Sequence, residues 1–142
     1  MMQDSVTSIP HHYRHALLID DDVFTLDMVA LRLEDLGVAR VTKAGGGEQG
    51  LRALGPDGTG ADLIVCDINM PRMDGFQLME LLAARRVGCP IILMSGLAQR
   101  FIDSAQLMAR FHHLNILGAL KKPLDKRELA QLLARPPAPA AP

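Results

Sequence analysis

The stretch "DLIVCDINMPRMDGFQL" (Asp62–Leu78) decides the fold. Its four apolar residues, Leu63–Cys66, lie between two acids and give way to Pro71 and Gly75, which interrupt regular structure. A run this short, bounded by turn residues, suits a fully buried strand of a parallel sheet. Beyond Gly75, apolar residues recur at Phe76, Leu78, Met79, Leu82 and Ala83, so the spacing predicts a helix over Phe76–Ala84. The unit is strand, loop, helix, with Asp67 at the end of the strand.

Moving outward, the same unit recurs. Short apolar runs occur at "ALLI" (Ala16–Ile19), "ARVTKA" (Ala39–Ala44), "IILM" (Ile91–Met94) and "ILGAL" (Ile116–Leu120). Amphipathic stretches fall between them, over Phe24–Leu36, Glu48–Leu54, Gln99–Phe111 and Asp125–Ala134. The first stops before Gly37, the second before Gly55-Pro56, and the last opens on an acid able to cap it. Five strands alternating with five helices predict an α/β doubly wound parallel sheet.

Composition agrees. At 142 residues the chain suits one domain, and a 49% hydrophobic content with only 4% aromatics and no Trp suits aliphatic helices packed on a sheet. A net charge of −1 gives no overall attraction to nucleic acid or to an anionic membrane. The charge is uneven: residues 1–80 carry 6 Lys/Arg against 13 Asp/Glu, and residues 81–142 carry 9 against 3. That asymmetry reads as an acidic and a basic pole, or as chance segregation of solvated side chains. Cys66 and Cys89 lie in or beside apolar stretches and read as reduced thiols of a cytoplasmic protein. No run is long enough to span a membrane, and no signal-peptide core is present.

Residues 1–14 read as a flexible leader, residues 15–134 as the domain, and residues 135–142, "RPPAPAAP", as a Pro/Ala-rich linker or tail. His11, His12 and His15 are close in sequence, but without a second ligand cluster they do not define a metal site.

In a doubly wound sheet the ligand site lies beyond the carboxyl ends of the strands. The first run ends in Asp20-Asp21-Asp22, the third in Asp67, the fourth in Ser95 and the fifth in Lys121-Lys122-Pro123. The second ends in Lys43-Ala44-Gly45, with nothing obviously reactive. Clustered carboxylates make a hard oxygen site suited to Mg²⁺. A carboxylate such as Asp67 can then act as nucleophile toward a phosphoryl group, with the metal and a lysine neutralising charge on its oxygens. Ser95 can donate to a further oxygen. The parts for making and holding an aspartyl phosphate are all present.

With these residues in view, "LLIDDD", "DLIVCDINMPRMDGFQL", "PIILMSG" and "LKKPLDKREL", in that order, resemble the receiver domain of two-component response regulators over roughly Ala16 to Leu133. The resemblance implies a flavodoxin-like sheet in the order 2-1-3-4-5. It implies that Asp67 is the phosphoacceptor, and that Asp20, Asp21, Asp67 and the backbone carbonyl of Asn69 hold Mg²⁺, or Mn²⁺ in its place. Ser95 matches the switch hydroxyl and Lys122 the phosphate-pairing lysine, joined to Pro123 by a cis peptide bond, with Lys121 pointing away. Asp22 falls where the family is permissive, as a loop or helix-start acid. Met70-Pro71 and Met73-Asp74-Gly75 match the loop and helix start that shape the pocket.

The implied phosphodonor is a histidine kinase or histidine phosphotransfer protein. The implied chemistry is self-catalysed phosphorylation and dephosphorylation rather than conventional turnover. Receivers often pair through the fourth helix, fifth strand and fifth helix. There Arg100, Arg110, Lys126 and Arg127 against Asp103, Asp125 and Glu128 form either a polar seam or a solvated surface.

Three features depart from the pattern. Many receivers have an aromatic residue three positions before the lysine, where this chain has Ala119. A methyl group cannot report by changing rotamer, so the expected coupling runs through the Ser95–Gly96–Leu97 loop. Leu97 stands where a polar side chain would orient a hydrolytic water, so self-dephosphorylation is expected to be no faster than usual. The run "HHLNILGALKKP" (His112–Pro123) is more similar to that of receivers attached to cyclic-di-GMP phosphodiesterase domains.

Two other readings are open from the residues. Asp20-Asp21-Asp22 supplies the D-x-D of a haloacid-dehalogenase-type phosphatase with Asp20 as nucleophile, although Phe24 replaces the small residue that pattern needs. A receiver-shaped interaction module that never carries phosphate is the second. The "GGG" at Gly45–Gly47 reads as a turn into a helix, not a phosphate cradle.

Overall fold

The computed structural model describes residues 13–96 and 100–135, with backbone alone for 100–103. The described residues form β1 (His15–Ile19), α1 (Val23–Asp35), β2 (Arg40–Ala44), α2 (Gly47–Leu54), β3 (Leu63–Asp67), α3 (Gly75–Ala84), β4 (Ile91–Ser95), α4 (Arg100–Arg110), β5 (Ile116–Lys121) and α5 (Lys126–Leu133). The boundaries lie within a residue or two of those expected from the apolar runs. The sheet is parallel throughout, in the order β2-β1-β3-β4-β5.

Side chains alternate across a strand, so each strand feeds both faces of the sheet. Ala16, Leu18, Leu63, Val65, Ile92 and Met94 face one side, where they meet Leu26, Val29 and Leu33 of α1 and Leu129 and Leu133 of α5. Leu17, Ile19, Ile64, Cys66, Ile91 and Leu93 face the other, against Leu51 and Leu54 of α2, Leu78, Met79 and Leu82 of α3, and Leu107 of α4. Both faces being covered, β3 and β4 are buried along their whole length, which is why their sequences run continuously apolar.

Tyr13, within the stretch read as a leader, is buried against the α1/α5 core. His15 belongs to β1, where its ring pairs with Thr42 and Arg40, and it takes part in no histidine cluster among the described residues. His11 and His12 lie outside the described residues. Arg135, first of the expected linker, donates from Nη1 to the Leu117 carbonyl at 2.8 Å, and residues 136–142 lie outside the described residues. Both cysteines are free thiols. Burial raises Cys66 beyond the ordinary thiol range and pushes Cys89 up to about 12, so neither is a ready nucleophile.

Gly60, after α2, passes so close to that helix that an added Cβ would meet the Ala53 carbonyl and come within 2.9 Å of Leu54 Cα. These are backbone atoms that no rotamer change can move. Gly60→Ala is expected to cost about 1–3 kcal/mol by overpacking. A urea titration would read this as a lower midpoint with an unchanged slope.

Candidate functional site

β1 and β3 are neighbours with Ile19 opposite Cys66, so the next residue of each, Asp20 and Asp67, emerges side by side at one edge of the sheet. Asp20 is 0% exposed and Asp67 3%, while Asp21 is open to solvent. Carboxylate oxygens of all three lie within 4.8 Å of one another.

Two buried acids side by side need compensation. Part is local: the Asp22 N–H donates to Asp20 Oδ1 and the Asn69 N–H to Asp67 Oδ1, both at 2.9 Å. Each is a turn in which the acid accepts from the backbone two residues on. The rest comes from β5. Lys122 Nζ lies 2.6 Å from Asp20 Oδ2 and 3.1 Å from Asp67 Oδ2. Burial alone would lower the Lys122 pKa, but the two carboxylates outweigh it and hold the ammonium above its ordinary range. Asp20 is nonetheless raised, because desolvation exceeds what Lys122 and the Asp22 N–H return. Asp20 Oδ2 is fully buried, and although the ammonium is near, no donor among the described residues makes an aligned hydrogen bond to it. A hard, partly unsatisfied oxygen set with one solvent-facing member suits a divalent cation.

The cis Lys122–Pro123 bond is present, Lys121 is exposed, and Lys122 is the lysine that reaches the acids, as expected. Ser95, buried at the end of β4, donates from Oγ to Asn69 Oδ1 at 3.3 Å. Asp22 caps α1, accepting from the Phe24 N–H and from the Thr25 hydroxyl at 2.7 Å. These bonds, the Thr25 hydroxyl's first, hold its carboxyl below the usual range. The third acid of the triplet thus starts a helix. Asp74 caps α3 in a capping box with Gln77, which anchors the loop from Asn69 onward.

Other expected residues are placed differently. Ala119 is half-buried and sits opposite Leu93 in β4. Of the charges read as either a polar seam or a solvated surface, Asp125 caps α5, Lys126 lies 3.8 Å from Asp35 of α1, and Arg110 stacks over the Phe76 ring at 4.7 Å. Arg127 and Glu128 remain exposed, and the side chains of Arg100 and Asp103 lie outside the described residues, as does Leu97. The "GGG" run begins α2 without a side-chain cap, and Met73 packs onto Gly47 where a Cβ would stand. Gly47 therefore meets a packing need, whereas a Cβ at Gly46 would meet nothing within 4 Å.

Residues 16–134 match the response regulator receiver domain family. The chain belongs to that family. This receiver is 34% identical to the transcriptional regulatory protein GlrR of Escherichia coli over 87% of its own length, but spans only 26% of that protein. It is 25% identical to the chemotaxis protein CheY of Treponema pallidum over 83% of this chain and 78% of that one. The crystal structure of a response regulator receiver domain protein from Clostridium thermocellum shares the fold, with a TM-score of 0.73 at 21% identity, covering 84% of this receiver and 90% of that chain. Phosphorylation and dependence on Mg²⁺ are typical of receivers. The match spans the segments that carry Asp20, Asp67, Ser95 and Lys122. It does not favour the phosphatase or the phosphate-free module.

Two features of the site are additions to the expected set. Val23 and Phe24, 68% and 71% exposed, form an apolar lip beside the acids. Their signal is legible, since they precede the buried stripe of α1 that begins at Leu26. The bond between the Asn69 side chain and Ser95 joins residues 26 positions apart and has no sequence signal.

Proposed function

We propose that this receiver takes a phosphoryl group onto Asp67 from a phosphohistidine of a histidine kinase or phosphotransfer protein. The observation that carries the reading is the Lys122 ammonium lying between Asp20 and Asp67, with Asp21 open beside them. An Asp67 carboxylate oxygen forms the new bond to phosphorus as the donor's bond to phosphorus breaks, and no general base is needed because the attacking group is already an anion. Lys122 neutralises charge on one phosphoryl oxygen and the Ser95 hydroxyl donates to another. Asp20, Asp21, Asp67 and the Asn69 carbonyl would hold Mg²⁺, which supplies charge neutralisation to carboxylates and phosphoryl oxygens alike.

The exposed Val23 and Phe24 support docking of an apolar partner surface next to Asp67. Beside them, Phe24, Met28, Pro123 and Leu124 line a cleft of about 360 Å³. Exposed Arg127 and Glu128 are among the described charges available for pairing two copies through α4, β5 and α5. In this reading residues 1–12 are a leader and residues 136–142 lead to an output domain, since Tyr13 and Arg135 engage the domain itself. The setting is cytoplasmic, and no described helix is long and apolar enough to cross a membrane.

Acetyl phosphate with Mg²⁺ is expected to give a retarded band on a phosphate-affinity gel, abolished by a chelator and reversed by hydroxylamine, as an acyl phosphate requires. Equal labelling with the chelator present would overturn the reading.

A further inference from the structure

We infer that the Asn69 side chain is a positioning residue for Ser95, and that it carries the phosphorylation state of Asp67 into the groove between α3 and α4. The inference rests on Asp67 being the phosphoacceptor.

Asn69 touches the site in two ways. Its N–H holds Asp67 Oδ1 at 2.9 Å, and its Oδ1 accepts from Ser95 Oγ at 3.3 Å. It therefore links the acid of β3 to the hydroxyl of β4. Its backbone also pairs with Asp74, the residue that caps α3. On its outer side it lines a groove of about 470 Å³ shared with Phe76 of α3 and with Gln106 and Arg110 of α4. Arg110 stacks on Phe76 across this groove. Residues of both helices and Asn69 thus line one groove.

A phosphoryl oxygen is a charged acceptor, and hydrogen bonds to charged acceptors are shorter and roughly twice as strong as the neutral hydroxyl–carboxamide bond. When Asp67 is phosphorylated, the Ser95 hydroxyl leaves Asn69 Oδ1 for the phosphoryl group. The Asn69 side chain is half-buried and lines the groove, so its freed acceptor turns to a donor there. Gln106 and Arg110 are the donors that share its groove, and for Arg110 to turn inward it must leave Phe76. Ala119, opposite Leu93 on the same side of the sheet, offers no ring to do this work. The relay passes through a carboxamide and a guanidinium in place of an aromatic rotamer.

The test uses the full chain, labelled with acetyl phosphate and Mg²⁺. The amide resonances of Phe76, Gln106 and Arg110 and the Arg110 Nε–H are compared at equal phosphoryl occupancy. In the wild type they should move on phosphorylation. In Asn69→Ala they should stay at their unphosphorylated positions, and in Asn69→Asp, which keeps an Oδ1 acceptor, the movement should return. Ser95→Ala removes the same bond from its other end and should also abolish the movement, which keeps the test open if Asn69→Ala fails to fold. Wild-type movement in Asn69→Ala or in Ser95→Ala overturns the relay. So does an Asn69→Ala protein that is folded but takes no label, since the side chain would then serve the transfer itself. Label retained by Asp67→Asn is the separate failure, of the phosphoacceptor reading on which the relay rests.

Discussion

Asp67→Asn is expected to take no label from acetyl phosphate under conditions that fully label the wild type, a loss of at least about 10³-fold in the rate of transfer. The physical reason is the nucleophile. A carboxamide has no anionic oxygen, and O-phosphorylation would leave it as a high-energy imidate. The substitution should leave the fold in place. An Asn at 67 keeps an oxygen to accept the Asn69 N–H now made at 2.9 Å, and Lys122 keeps its 2.6 Å ion pair with Asp20. Circular dichroism alongside the gel assay separates lost chemistry from lost structure. If label vanished only in Asp20→Asn and survived in Asp67→Asn, Asp20 would be the nucleophile, as the D-x-D reading requires.

Asp20→Asn should show the opposite pairing of effects: a more stable protein that has lost its response to Mg²⁺. Burial raises the folded-state pKa of Asp20 above its unfolded value of about 3.9. Between those two values the folded protein binds more protons than the unfolded chain, so stability falls as pH rises through that window. Above it the ionised group is a standing cost to the fold. Replacing it by a neutral isostere removes that cost, so thermal melts at neutral pH without divalent cation should give a higher Tm for the variant. Its profile should also be flatter on the acid side. Adding Mg²⁺ at 100 times its Kd should stabilise the wild type by about 2.7 kcal/mol through binding to the folded state. The variant should gain little at the same concentration, having lost a buried ligand. A wild type that melts above the variant in chelator would contradict the burial argument. A stability thus given up for an acidic site is the usual trade at functional positions.

Much of the fold and of the site is legible in the order of the residues alone. Each short apolar run forms a strand because both faces of a parallel sheet are buried, and burial on both faces leaves a plain mark on composition. Asp20, Asp67, Ser95 and Lys122 are legible for a related reason: they are the polar residues at or just beyond the points where those runs stop. The distinction between Lys121 and Lys122, neighbours of the same type, also follows from the pleat and from Pro123. The structure agrees, with Lys122 on the acids and Lys121 exposed.

Other features have no local signal. Tyr13 reads as part of a polar leader, yet it is buried, because its partners come from elements far along the chain. Lys126 and Arg110 read by type alone as part of either a polar seam or a solvated surface. Each has a specific partner, Asp35 for the first and the Phe76 ring for the second. Charge says little about partner, since an exposed ion pair is worth at most about 1 kcal/mol and local geometry readily redirects it.

By itself, then, the sequence determined the order of the elements, the sheet edge at which the chemistry gathers and the residues that stand there. These follow from hydrophobic period and chain order, which are local and additive. Only the tertiary structure decided how those residues meet. It set Lys122 between two buried carboxylates and brought the Asn69 side chain to Ser95. Such contacts depend on distances of 2.6 to 3.3 Å between atoms carried by separate strands. Those distances are set by the packing of the whole sheet, to which no short stretch of sequence has access.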